Sequence, residues 1–167
     1  MSKITHIILH CSDSPFGSAS LIRRWHTDPK PAGRGWSDIG YHFVIQNGRP
    51  VDSAFYLEPL DGQIECGRRL DGDLAIEQDE VGFHCIGHNG DSISVCMIGM
   101  RKDGRLTFTI KQFDALKALV LALCDHYRIP VQNVIGHCET ESGKAEGKSC
   151  PDFDVEPIRL WLRGRVR

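Results

Sequence analysis

Three short segments of this chain carry side chains able to converge on one metal ion: Ile7-Ile-Leu-His10-Cys-Ser12, Ile135-Gly-His137-Cys-Glu139 and Lys148-Ser-Cys150-Pro151. His10 ends an apolar run that reads as a strand, whereas His137 and Cys150 fall in loops near the other end of the chain. Zinc prefers imidazole nitrogen and thiolate sulfur, and a catalytic site usually takes three protein ligands and keeps a fourth position for water. Two histidines and one cysteine meet that count. Eight His and seven Cys allow many such triples. The weight comes from the company this one keeps, which is Gly40-Tyr41-His42-Phe43 and a lysine, Lys148, two residues ahead of the cysteine.

Further blocks extend the pattern: Trp36-Ser-Asp-Ile-Gly-Tyr-His-Phe43, Gly82-Phe-His-Cys85, His88-Asn-Gly-Asp-Ser-Ile93, Gly136-His-Cys-Glu139 and Lys148-Ser-Cys-Pro-Asp-Phe-Asp154. Together with His10-Cys-Ser12, and in this order, they give a chain that resembles the zinc-dependent N-acetylmuramoyl-L-alanine amidases from about Ile4 to Trp161. Small phage endolysins and peptidoglycan recognition proteins share that fold. The resemblance implies one Zn2+ per chain held by His10, His137 and Cys150. It also implies hydrolysis of the amide between N-acetylmuramic acid and L-alanine in bacterial peptidoglycan. The whole of residues 1–167 is then expected to be one catalytic domain, without a separate wall-binding domain.

An amide resists hydrolysis because its carbonyl is a poor electrophile and water a poor nucleophile. Zinc answers both, lowering the pKa of a bound water toward about 7 and polarising the carbonyl. A nearby cation can stabilise the resulting oxyanion. Lys148 is the candidate for that role. The segment Thr140-Glu-Ser-Gly-Lys-Ala-Glu-Gly147 lengthens this loop and offers Lys144 as a rival, but Lys148 keeps the Lys-x-Cys-Pro spacing. Endolysin members of the resembling family pair such a lysine with a tyrosine matching Tyr41. Neighbours on a strand face opposite ways, so only one of Tyr41 and His42 can readily look into the site; the resemblance selects Tyr41, which leaves His42 in the core or behind a ligand. Glu139 is a candidate base or a partner of a ligand histidine. The resemblance places Gly82–Gly90 beside the substrate groove, which makes His84, Asn89 and Ser92 candidate contacts to the peptide stem; for Asn89 and Ser92, turn-making is the competing account. His84 and His88 are spaced for a helix face, but the glycines around them disfavour a helix and hence a second metal site built on it.

Two other readings stay open. The same fold can bind peptidoglycan fragments without cutting them, although that branch typically lacks the zinc cysteine that is present here. Alternatively Cys150 could act as nucleophile with His137 as base, which leaves His10 and the lysine without a role.

The elements that must position these groups are legible in part. Ile4 to His10 reads as a buried strand with Ile4, His6, Ile8 and His10 on one face. His6 then lies about 13 Å from His10, too far to share its ion. Ser20 is expected to cap a helix carrying Leu21, Ile22 and Trp25 that ends before Asp28-Pro29, followed by a loop to Gly35. A strand at Tyr41–Gln46, the turn signal Asn47-Gly48 and a return strand at Pro50–Ala54 read as a hairpin. Ile93–Ile98 is a further strand. Thr109 or a neighbour opens the clearest helix, with Phe113, Leu116, Val120, Leu123, Cys124 and Tyr127 at helical spacing until Ile129-Pro130. A short strand at Val131–Ile135 leads to His137, and Val155–Leu162 is an amphipathic helix. Residues 56–81 are acidic and strand-like only at Gln63–Cys66. Strands interleaved with helices imply an α/β domain, a central mixed sheet flanked by helices.

A chain of 167 residues has the length of one domain, and 41% hydrophobic with 25% charged residues is ordinary for a globular protein. A net charge of −2 offers nothing to nucleic acid or a membrane surface. Charge is uneven, however: residues 52–80 hold nine acids against Arg68 and Arg69, and the tail from Arg159 holds four arginines and no acid. Solvated surface accounts for both, with attraction of the tail to an anionic wall as the sharper alternative. Seven cysteines without paired spacing suit free thiols or metal ligands in a reducing compartment. Cys11 is expected to turn away from His10, and Cys96 and Cys124 to act as small hydrophobes; Cys66, Cys85 and Cys138 have no evident place. No apolar run reaches the roughly 20 residues of a membrane span. Lys3 precedes only a short apolar run broken by His6 and His10, unlike a secretory signal. A monomer made in the host cytoplasm, reaching the wall after a holin opens the inner membrane, is the corresponding expectation.

Overall fold

In the computed structural model, which describes residues 2–166, the chain runs through β1 (Ser2–Lys3), β2 (His6–Cys11), α1 (Ala19–Thr27) and β3 (Phe43–Asn47). It continues through β4 (Asp61–Cys66), β5 (Ala75–Ile76), β6 (Ser92–Met97), β7 (Arg101–Lys102) and β8 (Arg105–Leu106). Next come α2 (Ile110–Tyr127), β9 (Val134–Gly136), α3 (Glu141–Ala145) and α4 (Glu156–Leu162). Five strands form the central sheet in the order β4-β3-β6-β2-β9. β2 is parallel to β6 and β9, β3 is parallel to β6, and β4 closes one edge antiparallel to β3. This is the expected mixed sheet. The short pairs β1–β5 and β7–β8 stand outside it.

Side chains alternate across the sheet and sort onto two cores. Ile7 and Leu9 of β2 and Ile93, Val95 and Met97 of β6 join Leu116, Val120 and Leu123 of α2 and Ile158 and Leu162 of α4. On the opposite face Val44 and Cys96 meet Ala19 and Ile22 of α1. His10 pairs in register with Cys96, so it shares the face that carries α1. Helices cover both faces, and from Ile7 onward β2 is buried throughout. A strand covered on both sides needs no polar alternation, which explains the run Ile7-Ile8-Leu9.

Helix ends follow local chemistry. α1 is capped by Ser18, whose Oγ accepts from Leu21 N, rather than by Ser20, which lies one residue inside the helix. α2 opens on the expected Thr109 in a capping box with Gln112. Gln112 is fully buried and donates its amide to the carbonyls of Ile45 and Ile98, which ties the helix to β3 and to the end of β6. The charged segment after Glu139 folds into α3, with Thr140 accepting from Gly143 N.

The hairpin expected at Asn47-Gly48 does not form. Residues 50–54 form no strand, only a turn at 52–53, and the antiparallel partner of β3 is β4, reached only after a loop and a 3-10 turn at Glu58–Leu60. Asn47 Nδ2 donates to Pro15 O and Gly17 N donates to Arg49 O, so this segment is tied to the loop after β2 instead of folding back. The tight turn of this sequence is Asp103-Gly104 between β7 and β8, with both residues at positive φ (50° and 75°). Two shifts concern strand ends. The strand expected from Tyr41 starts at Phe43, and Val131–Asn133 is a 3-10 turn that precedes β9.

Candidate metal and active site

His10 stands at the end of β2 with 1% of its surface exposed. His137 follows the neighbouring strand β9 directly, and because β2 and β9 run parallel both imidazoles emerge at the same sheet edge. Their ring centroids are 4.8 Å apart. Cys150 arrives on the loop after α3, its Sγ 3.6 Å from His10 Nδ1. The ligand atoms of His10, His137 and Cys150 all lie within 4.8 Å of one another. Two backbone bonds hold the loops in place: Cys138 N donates to Cys150 O at 2.7 Å, and Lys148 N to Gly143 O at 2.9 Å. Cys11 N also donates to Cys150 Sγ at 3.3 Å. Cys11 therefore does not turn away from the site as expected; its thiol is pushed up first by a hydrogen bond with Cys150 and then by burial.

The three donors open onto a cleft of about 490 Å³. Tyr41 lines it with its ring 5.1 Å from that of His10, and His42 faces away, fully buried, its ring nitrogens 2.9 Å from Ser94 Oγ and Glu80 O. Lys148 lines the cleft 3.2 Å from Glu146, while Lys144, on α3, is exposed and not among the lining residues. Trp36, Phe83, Arg34 and His26 form an aromatic and cationic wall, with Arg34 5.1 Å above the Trp36 ring. None of these four was selected from the sequence. Trp36 and Phe83 at least lie in the Trp36–Phe43 and Gly82–Cys85 blocks, but nothing local marks Arg34 or His26.

The electrostatics favour neutral imidazoles and a protonated phenol. Burial, then His137, holds His10 well below the usual histidine range. For His137 the causes are burial and the Lys148 ammonium, partly offset by Glu146. Burial also pushes the Tyr41 phenol well above its ordinary value, so its hydroxyl remains a donor.

The remaining candidates are placed differently from expectation. His84 lines the cleft but has both ring nitrogens engaged: Nδ1 is 3.1 Å from His10 Nε2 and Nε2 is 3.4 Å from Ser92 Oγ. Ser92 is fully buried, does not reach the cleft and donates to His88 O at 2.6 Å, so it is no stem contact. Asn89 lines the cleft, yet its Oδ1 accepts from His84 N and Cys85 N, as a turn-making residue does. Glu139 accepts from Gly136 N and from Arg159 rather than from a ligand histidine. That pairing also absorbs the first arginine of the basic tail; Arg163 pairs with Glu156, and Arg167 lies outside the described residues. Cys85, unplaced before, is buried against Thr140 and Ser142. His88 does not share a site with His84; it sits with His6 and Asp91.

Comparison with known proteins accounts for this arrangement. The family model described as N-acetylmuramoyl-L-alanine amidase matches residues 1–153. The endolysin of Escherichia phage T7 is 32% identical over 96% of this chain and 87% of its own length. For that of Klebsiella phage KP32 the figures are 30%, 98% and 89%. Among solved structures, the amidase LysC from Clostridium intestinale aligns with a TM-score of 0.69 at 24% identity, over 97% of this chain and 87% of its own. Drosophila PGRP-LB aligns at 0.63 and 22%, over 90% and 76%. Those two structures share the fold, and the family match together with the endolysin identities settles kinship: this chain belongs to the N-acetylmuramoyl-L-alanine amidase family.

Proposed function

We propose that this amidase is a zinc enzyme of the endolysin type, in which His10, His137 and Cys150 hold one Zn2+ and Lys148 and Tyr41 act on the scissile amide. The observation that carries the reading is the convergence of two imidazoles and a thiol, from three distant segments, at the floor of one cleft. Two nitrogens and a sulfur with one open side suit zinc. Bound there, zinc would supply a Lewis acid that activates water and polarises the carbonyl between N-acetylmuramic acid and L-alanine.

The chain's own groups do the rest. His10 and His137 stay neutral and offer lone pairs. Lys148 brings a positive charge to the cleft, where it draws negative charge onto the carbonyl oxygen as the carbon becomes tetrahedral. Tyr41, protonated, donates a hydrogen bond to the same oxygen or orients the attacking water. The wall of Trp36 and Phe83 offers apolar surface to the sugar and stem of the substrate.

His84 and Ser92 act as positioning residues. Ser92 gives its hydroxyl proton to His88 O, which leaves its lone pair to accept from His84 Nε2–H. His84 Nδ1 is then an acceptor for His10 Nε2–H, and His10 Nδ1 turns its lone pair toward Cys150. A hydrogen-bonded partner on the far nitrogen fixes the tautomer of a ligand histidine.

In this reading residues 1–167 work as one catalytic domain, and as a monomer. The relatives from phages T7 and KP32 are endolysins, which favours the cell wall as the place of action, reached through a holin. The test is mass spectrometry of purified peptidoglycan digested with and without a strong zinc chelator. Free stem peptides starting at L-alanine, lost on chelation and restored by Zn2+, are expected. Cleavage that ignores the chelator would favour Cys150 as a nucleophile and overturn the metal assignment.

A further inference from the structure

At the other end of β2 from the active site, a second group of metal-binding side chains comes together. His88 Nδ1 is 3.2 Å from Asp91 Oδ1, His6 Nδ1 is 3.7 Å from Asp91 Oδ2, and the two imidazole rings are 4.8 Å apart. Their ligand atoms all fall within 4.8 Å of one another. Zinc–nitrogen bonds of about 2.0–2.1 Å place tetrahedral ligands about 3.3 Å apart, so no pair has to close in by more than about 1.5 Å. The side chains are reachable from solvent, with 25% of His6, 25% of His88 and 35% of Asp91 exposed.

The backbone holds these donors ready. His6 is paired in register with Ser92, next to Asp91. Thr5 N and His6 N both donate to Asp91 O, at 2.8 and 3.2 Å, and Asp91 N donates to His88 O at 3.3 Å. Thr5 Oγ1 lies 2.8 Å from His6 Nδ1 and 3.3 Å from Asp91 Oδ2, so it can donate to the carboxylate while the imidazole nitrogen turns to an ion. Three donors on two segments already joined by main-chain bonds lose little further freedom on closing around a metal.

We propose that His6, His88 and Asp91 form a second divalent-metal site, distinct from the amidase centre, that takes a borderline transition metal such as Zn2+, Ni2+ or Co2+. Two imidazoles and a carboxylate suit that class rather than Mg2+ or Ca2+, which prefer all-oxygen sets. The ion clasps the start of β2 to the loop that delivers His84. His88 supplies both a ligand nitrogen and the carbonyl that receives Ser92 Oγ–H, so the clasp braces the far end of the chain of bonds leading to His10. Because only the folded chain brings the donors together, metal binding here raises stability. The site is independent of the zinc assignment at Cys150.

Equilibrium dialysis of the intact protein against Zn2+ reads the count directly. Two ions per chain are expected for the wild type, and one for each of His88→Ala, His6→Gln and Cys150→Ser. Co2+ identifies which ion is lost, since only a site with a cysteine ligand gives an intense thiolate charge-transfer band. The band should persist in His88→Ala and vanish in Cys150→Ser. Added Zn2+ should also raise the melting temperature of Cys150→Ser but not of Cys150→Ser/His88→Ala. A single ion in the wild type that carries the thiolate band, or a second ion that survives the His6→Gln/His88→Ala double substitution, overturns the proposal. A wild type that binds one ion without the thiolate band, and loses it in His88→Ala, would count against the amidase-centre ligands and leave this site standing.

Discussion

Replacing His84 by Phe separates a residue that positions a metal ligand from one that touches substrate. Phe keeps an aromatic ring of similar size against His42, 5.9 Å away, and removes both ring nitrogens. His10 is 1% exposed, so its Nε2–H then has neither His84 nor water to bond. A buried unsatisfied donor costs about 1–3 kcal/mol. The cost falls on the metal-loaded state only. Without metal, His10 can shift its proton to Nδ1, 3.6 Å from Cys150 Sγ, and escape the penalty. With Nδ1 bound to the ion, the proton has to sit on Nε2. Zn2+ affinity should therefore fall about 10–100-fold, the range typical of lost partners behind metal ligands. Gln at this position has a carbonyl oxygen that can still accept from Nε2–H, so His84→Gln should recover part of the loss. Competition with a colorimetric chelator measures the affinity; KM and kcat on peptidoglycan under saturating zinc give the second readout. Wild-type zinc affinity in His84→Phe, with KM raised about tenfold, would refute the reasoning and return His84 to the substrate contacts.

Lys148→Ala should keep its metal yet lower kcat about 10²–10³-fold, the usual loss for one oxyanion donor, whereas Lys144→Ala should retain wild-type kcat; the reverse outcome would place the wrong lysine at the carbonyl. Gly143→Ala puts a Cβ 1.9 Å from His137 O, against backbone that cannot yield cheaply. It should cut both zinc affinity and thermal stability, by about 1–3 kcal/mol for the latter, as read by chelator competition and a melting curve. Burial of His26 beside Arg34, and of His42, lowers each pKa from 6.5 to about 4. As pH falls below 6.5 the unfolded chain takes up these protons before the folded one, so stability is full above that value and drains away toward pH 4. The loss by pH 5 is about 2 kcal/mol for each residue, and urea midpoints of the metal-free protein at pH 8 and pH 5 should show it. Equal midpoints would mean that neither imidazole is held neutral.

The fold class and the candidate metal triad were legible because both depend on information that lies close together along the chain. Strand β2 and helix α2 announce themselves by apolar pattern, and each ligand sits in a short block whose residue types are restricted by chemistry. What local patterns left out is equally specific. Asn47-Gly48 has the residues of a tight hairpin, but Asn47 bonds to Pro15, 32 residues earlier, and the chain leaves the sheet there. Asp103-Gly104 has the same signal and makes the turn: the chain folds straight back, pairing Arg101 with Leu106 and Lys102 with Arg105. Glu139 is claimed by Arg159, 20 positions on, and no rule of spacing foretells that pair. Ser92 and His84 look like surface polar groups in a Gly-rich loop until the sheet register buries one and turns the other onto His10.

The site is therefore assembled by two kinds of constraint, and they divide the candidate ligands between them. His10 and His137 end adjacent parallel strands, so the sheet register alone brings the imidazoles together whether or not an ion is present. Cys150 has no strand behind it. Its place rests on Cys138 N to Cys150 O, on Lys148 N to Gly143 O, and on α3 packing close enough that Gly143 tolerates no side chain. Lys148 rides on the same loop, two residues from the thiol. The two candidate imidazole ligands are thus fixed by the core, while the candidate thiol ligand and the cation proposed for the carbonyl share one loop. Any change that displaces this loop should remove a ligand and the oxyanion partner in one step, although neither residue has been touched.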